Sequence, residues 1–250
     1  MLDARPTSPG WPEDTALAAF ENALAFDRSC VYERFFIANR QRIKVQKQDI
    51  AVPKLRTILE STFRICEDRG FHAMSLRDLC EDTRLSMGGM YNYIRGKEEL
   101  SSMISDFVGG FFVESTEALL PPREHIVARV EYGIRAYIYM TELFRPWYFF
   151  VFMETKNFPE EQIRRAKEME RRFLSETQAL IDRGIVAGIY LSDDSYLSAS
   201  AILSLIQDWH VKAWQFRGRS INAEGYADFV IAMSQRMLSF TPAPEANQAA

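Results

Sequence analysis

A chain of 250 residues that is 47% apolar, 26% charged and 13% aromatic has the composition of a globular protein with an ordinary core, which excludes collagen-like, disulfide-scaffold and wholly disordered classes. Its net charge of −4 excludes a protein that coats nucleic acid indiscriminately, yet residues 40–100 carry twelve Lys and Arg against nine Asp and Glu and are the net-positive portion. The greasiest run, Trp147 to Met153, stops at Glu154, short of the roughly 18 apolar residues of a membrane span, so no membrane partner is expected.

Residues 1–13, rich in Pro, Ser and Gly, read as a flexible tail. Pro6, Pro9, Pro12, Glu13 and Asp14 interrupt any export-type apolar run, and a cytoplasmic location is expected. Residues 14–50 form an N-terminal helical extension: Ala16, Ala19, Phe20, Ala23, Cys30, Val31 and Phe35 recur mostly at spacings of three, four and seven, the signature of one buried helical face. The extension ends basic, with Arg40, Arg42, Lys44 and Lys47. Two readings stand: a clamp on a phosphate backbone, or an apolar face packed on the rest of the molecule beside a solvated basic one.

Residues 51–100 hold a compact set of short helices. Pro53 suits a first helical turn, Leu55, Ile58, Leu59, Thr62, Phe63 and Cys66 follow at helical spacing, and Gly70 ends that helix. Ser75 caps a helix from Leu76 to about Thr83, with Asp78 three residues in, and Ser86 caps another through Ile94. Gly96 precedes a helix opening at Lys97 that Pro121-Pro122 must end. Residues 101–240 continue with helical segments near 123–142, 146–155, 160–187, 193–216 and 223–239, and 241–250 read as a disordered tail. The expected fold is all-α: a three-helix unit with a helix-turn-helix, a larger helical unit, and an extra N-terminal helix. Cys30, Cys66 and Cys80 lack C-x-x-C spacing and are expected to be small buried hydrophobes.

Residues 75–94, SLRDLCEDTRLSMGGMYNYI, carry the most specific pattern. Leu76, Leu79 and Cys80 turn one face of a short helix inward, Leu85 plugs a three-residue turn, and Met90 and Ile94 anchor a second helix. Met87, Gly88, Tyr91 and Asn92 are left outward, and in a helix-turn-helix Ser86 to Asn92 lie nearest the base edges of the major groove. With Phe71 and Ser75 ahead of it, Tyr91-Asn92-Tyr93 within it and Lys97-Glu98-Glu99-Leu100 after it, the segment from about Lys54 to Leu100 resembles the DNA-binding domain of TetR/AcrR transcriptional regulators.

That resemblance implies a homodimer on a pseudo-palindromic operator, controlled by a small ligand. It implies phosphate contacts from Ser75, Tyr93 and Lys97, with Ser86, Met87, Gly88, Gly89, Tyr91 and Asn92 along the groove. Lys54 or Arg56 adds a further phosphate contact, and Lys97 sits at a helix start that already favours an anion. The sequence departs from the family pattern at three places. Arg84 stands where Gly is usual in the turn, Met87 where a basic residue is frequent, and Gly88-Gly89 lower helix propensity by about 1 kcal/mol each.

Beyond Pro122 the chain is dense in large rings. Core packing accounts for most of them, but so many suit an apolar cavity between helices that takes a hydrophobic effector. Tyr132, Arg135, Tyr139, Trp147, Phe150, Glu154, Gln207 and Asp208 are the expected ligand contacts. The stretch YFFVFMETK at 148–156, followed by Arg164, Arg165, Lys167, Arg171 and Arg172, is similar to what fatty-acid and acyl-CoA regulators of the same family carry. An acyl-CoA-like effector is one expectation; a solvated face of salt bridges with Glu161, Glu168 and Glu170 is the other. Apolar positions near 193–216 and 223–239, Leu197, Ala201, Leu203, Leu205, Ile206, Phe229, Val230, Met233 and Met237, pack either internally or against a second copy.

No cofactor or metal is expected, since Asp208 and His210 lie two apart on a helix and cannot converge on one ion. No nucleophile elbow, P-loop or dinucleotide fingerprint is present, so no catalytic residue is assigned and an enzyme is not expected. The expected function is a cytoplasmic, dimeric, ligand-responsive DNA-binding regulator, a repressor. The alternative is a helical ligand-binding or protein-interaction module whose helix-turn-helix no longer reads DNA.

Overall fold

The computed structural model describes residues 14–24 and 30–239; the expected tails, 1–13 and 241–250, lie outside them. Among the described residues there is no strand. Helices α1 (Leu17–Ala23) and α2 (Val31–Asn39) form the extension, which the periodicity merged into one helix. They precede α3 (Gln48–Ala73), α4 (Leu76–Thr83), α5 (Met87–Met90) and α6 (Lys97–Glu117). Next come α7 (Ile126–Leu143), α8 (Arg145–Glu154) with a 3-10 turn at Thr155–Asn157, and α9 (Glu160–Val186). Helices α10 (Ser195–Val211), α11 (Ala213–Arg217) and α12 (Ala223–Met237) complete the order.

Local chemistry explains the boundaries. The Ser75 side chain accepts the Asp78 N–H while Asp78 accepts the Ser75 N–H, a reciprocal cap that starts α4. Asp194 and Asn222 cap α10 and α12 by accepting from Leu197 and Gly225. Three expectations shift. Helix α3 begins at Gln48, so Pro53 lies inside it rather than in its first turn. Gly70, at φ 80°, kinks the chain, but helical turns resume to Ala73. The segment near 193–216 divides at Lys212 into α10 and α11.

The core is continuous from end to end. Trp147 on α8, only 4% exposed, is the aromatic hub: its ring lies 5.8 Å from Tyr32, 5.5 Å from Phe35, 5.1 Å from Phe63 and 5.3 Å from Phe107. The extension, α3 and α6 therefore all bury rings against one side chain of the C-terminal half. Phe150 extends the cluster to Phe63, Phe71 and Phe158. At the other end of the extension, Phe20 packs edge-on against Tyr139 of α7, and the Tyr139 hydroxyl donates to the Thr15 carbonyl.

Candidate nucleic-acid interface and effector cavity

The short helices α4 and α5 meet at a tight turn. Arg84 there is left-handed, at φ 55°, so the chain accepts a β-carbon in a conformation that glycine adopts freely, at a cost of about 1 kcal/mol. Leu79 and Met90 are fully buried, and α4 packs against both α3 and α5. Ser86 caps α5 by accepting the Gly89 N–H at 3.1 Å.

Helix α5 ends at Met90, four residues before the expected Ile94. Tyr91, Asn92 and Tyr93 continue as tight turns, with the Asn92 and Tyr93 N–H groups donating to Gly89 and Met90 carbonyls. Gly88-Gly89 weaken the helix here, as their propensity requires. The exposed edge is nevertheless the expected one. Tyr91 is 43% exposed, Asn92, Ser86 and Gly88 are exposed, and Met87 and Gly89 are half-buried. Gly88 has no atom within 4 Å of where a β-carbon would stand, so bare backbone faces outward.

The expected phosphate contacts divide. Ser75 is exposed, though its hydroxyl is engaged with Asp78, whose carboxyl the bond to Ser75 holds below its ordinary range. Lys54 is exposed, and Arg56 is exposed but paired with Glu60 at 2.8 Å. Tyr93 is 6% exposed; burial raises its phenol, and its ring belongs to the core. Lys97 is engaged within the protein. Its Nζ donates to the carbonyls of Phe71, His72 and Met74 at 3.3, 3.0 and 2.9 Å and lies 5.1 Å from the centre of the Phe71 ring. The ammonium closes the end of α3, where orphan carbonyls and the helix dipole favour a cation.

The extension does what its apolar reading anticipates. Phe20, Phe35, Phe36 and Ile43 are buried, Arg42 pairs with Asp106 of α6 at 3.1 Å, and Arg40 donates to Gln46. The Lys44 N–H donates to the Asn92 carbonyl at 2.9 Å, pinning the extension to the turns that follow α5. Lys44 and Lys47 remain exposed there.

The expected ligand contacts do not gather around one cavity. Trp147 and Phe150 are solid core. Arg135 donates to the Tyr139 hydroxyl and to Asp228, tying α7 to α12. Glu154 is buried and accepts the Phe71 N–H at 3.0 Å, just past the Gly70 kink, and the Asn157 amide at 2.9 Å. Gln207 donates to Glu170, Asp208 pairs with Lys212, and Tyr132 is half-buried. His210, 2% exposed, packs 5.1 Å from the Phe152 ring; burial first and Arg145 second lower its imidazole to about 4. Among the described residues no cluster of His, Cys, Asp and Glu forms a metal site, and no helix is long and apolar enough to cross a membrane.

A cavity of about 180 Å³ lies elsewhere, between the end of α6 and helices α7, α9 and α10. Val130, Ile134, Phe173, Leu180, Ile202 and Ile206 give it an apolar interior, and Arg123, Arg129, Arg183, Glu117 and Glu176 stand among its lining residues. None of the eight expected contacts lines it. A run of rings at helical spacing reports a buried face, not a void. The available signal was Gly133 in mid-helix, which lines the cavity and has open space where a side chain would project.

The family model described as bacterial regulatory proteins, tetR family, matches residues 58–102. Among solved structures, a bacterial regulatory protein in the tetR family from Rhodococcus RHA1 is similar at TM-score 0.67 and 19% identity, covering 75% of this chain and 97% of that one. AibR in complex with isovaleryl coenzyme A and operator DNA is similar at TM-score 0.63 and 18% identity, covering 75% and 100%. The fatty acid degradation regulator FadR from Bacillus halodurans is similar at TM-score 0.55 and 14% identity, covering 73% and 94%. At these identities the likeness is one of fold. No curated relative matches the chain.

Proposed function

Because the chain belongs to the bacterial regulatory proteins of the tetR family through its helix-turn-helix domain, we propose that this DNA-binding regulator acts as a dimeric repressor on a pseudo-palindromic operator. A hydrophobic small molecule releases it. The observation that carries the reading is the α4–α5 unit: Met90 and Leu79 lock it inward while Ser86, Met87, Gly88, Tyr91 and Asn92 face out. Residues 51–100 serve as the DNA-binding domain and 101–240 as the effector and dimerisation domain, with 14–50 bridging them. Ser75, Lys54 and the exposed Lys44 and Lys47 supply phosphate contacts; Tyr91 and Asn92 reach base edges.

The dimer uses α10 and α12. Leu197, Phe229, Met233 and Met237 are 62%, 53%, 38% and 37% exposed on these helices, whereas Leu203, Ile206 and Val230 turn into the monomer core. An apolar face shared by two adjacent helices suits an isologous four-helix contact, which would set the spacing of the two α5 helices. The effector enters the C-terminal domain from a cytoplasmic pool, and an acyl-CoA is the favoured class. The AibR structure, which holds isovaleryl coenzyme A and operator DNA, supports that choice.

The test is selection of bound genomic fragments by the purified protein at low and physiological salt, with and without a series of acyl-CoA thioesters. An enriched palindrome, lost when one thioester is added, is expected. Asn92→Ala should relax preference at particular base pairs, and Lys54→Ala should weaken binding to all sequences and reduce the salt slope by about 1. Failure to enrich any sequence at low salt would make the protein a helical ligand-binding or interaction module instead.

A further inference from the structure

Resting on the effector reading, we infer that the cavity between α6, α7, α9 and α10 takes a small anion with a short apolar body, and that this anion displaces Glu117 from Arg129. The volume of about 180 Å³ is below the 300–1,000 Å³ typical of drug-sized ligands. It suits a chain or ring of roughly eight carbons or fewer and is too small for a long acyl chain. The interior is apolar, and the missing side chain of Gly133 leaves it open.

Charge at the lining selects the sign of the ligand. Three guanidinium groups, Arg123, Arg129 and Arg183, meet two carboxylates, Glu117 and Glu176. Arg129 is only 8% exposed, so it needs a counter-charge and filled hydrogen bonds. It donates to the Pro121 carbonyl at 2.6 Å and to Glu117 at 2.7 Å. The Pro121 carbonyl is fixed backbone. Glu117 is half exposed and is the last residue of α6, where the helix dipole disfavours a carboxylate. It is the replaceable member of the cluster.

An incoming anion that takes its place keeps Arg129 paired while its apolar body fills the interior. Glu117 keeps only its exposed partner Arg123, at 3.5 Å, and the last turn of α6 loses its ion pair to α7. The first turn of α6 holds Lys97, whose ammonium closes α3 above the helix-turn-helix. One helix thus joins the cavity to the DNA-facing unit. The negative group is either the carboxylate of a free acid or the phosphates of a short-chain CoA thioester reaching the arginines.

Calorimetry on the full chain tests this with sodium hexanoate, hexanoyl-CoA and palmitoyl-CoA, using the wild type, Gly133→Leu and Glu117→Gln. Binding of hexanoate, or of hexanoyl-CoA alone, identifies the source of the anion, and either result supports the inference. Gly133→Leu fills the cavity with a good helix former and should weaken that binding at least tenfold. Glu117→Gln, a half-exposed change that leaves the core intact, should tighten it about threefold by removing the competitor. Undiminished binding in Gly133→Leu, weaker binding in Glu117→Gln, or binding of palmitoyl-CoA only would overturn it. If no probe binds while an operator is still selected, the cavity proposal fails and the DNA-binding reading stands. Hexanoate binding without operator selection would uphold the cavity proposal and remove the DNA-binding reading.

Discussion

The helix-turn-helix end and the C-terminal helices are held together by opposite means. Helices α4 and α5 are eight and four residues long, too short to be stable alone. They are specified by caps at Ser75 and Ser86, a left-handed turn at Arg84 and a few buried anchors. The C-terminal half relies on long helices whose rings interlock over great sequence distances, with Trp147 reaching Tyr32 and Phe35 of the extension. Short-range chemistry therefore defines the exposed face of the helix-turn-helix. Long-range packing decides how that surface is carried.

The contrast is most sharply broken at Trp147. Trp147→Ala empties the hub shared by the extension, α3, α6 and α8 and should cost about 3–5 kcal/mol. Urea denaturation should then show the DNA-binding unit and the C-terminal helices unfolding at a lower midpoint together; loss confined to the C-terminal half would show the two regions to be independent.

Next in size is acid sensitivity of the C-terminal core. The unfolded His210 imidazole takes a proton near 6.5, while the folded one stays neutral down to about 4. Stability from this site is complete above pH 6.5 and is lost as pH falls from there to 4, by about 3 kcal/mol. Thermal melts of the wild type and His210→Phe across this window should differ in slope, and parallel curves would refute a neutral buried imidazole.

Glu154→Ala probes the joint between the regions. It leaves the Phe71 N–H beyond the Gly70 kink without its acceptor and should cost about 1–3 kcal/mol. Hydrogen exchange should accelerate first at the Phe71 amide, and uniform acceleration across α7 to α12 would argue against a local joint.

The smallest effect has the opposite sign. Arg84→Gly relieves the positive φ and should stabilise the protein by about 1 kcal/mol, measured as a higher urea midpoint. Destabilisation would mean that the Arg84 side chain makes up for its backbone.

Legibility in the sequence follows the same division. The Ser75–Asp78 cap, the Ser86 cap, the turn at Arg84 and the inward Leu79 and Met90 were readable because each depends on residues a few positions apart. The bonds of Lys97 are not legible, because its three carbonyl partners lie more than twenty positions upstream. The bond of Glu154 to the Phe71 N–H is hidden for the same reason: the two residues lie 83 positions apart. The cavity leaves a single local trace, the mid-helix Gly133, because its walls come from the end of α6 and three other helices.

By itself, the amino-acid order determined an all-α protein with a helix-turn-helix, because helical periodicity, capping and turn geometry act within one or two turns of chain. Only the tertiary structure decided that the extension braces both halves, that Trp147 and Phe150 are the core members of the aromatic run, and that the open space and its arginines lie between α6, α7, α9 and α10. Voids and long-range hydrogen bonds arise from how finished helices pack, and no local pattern encodes them.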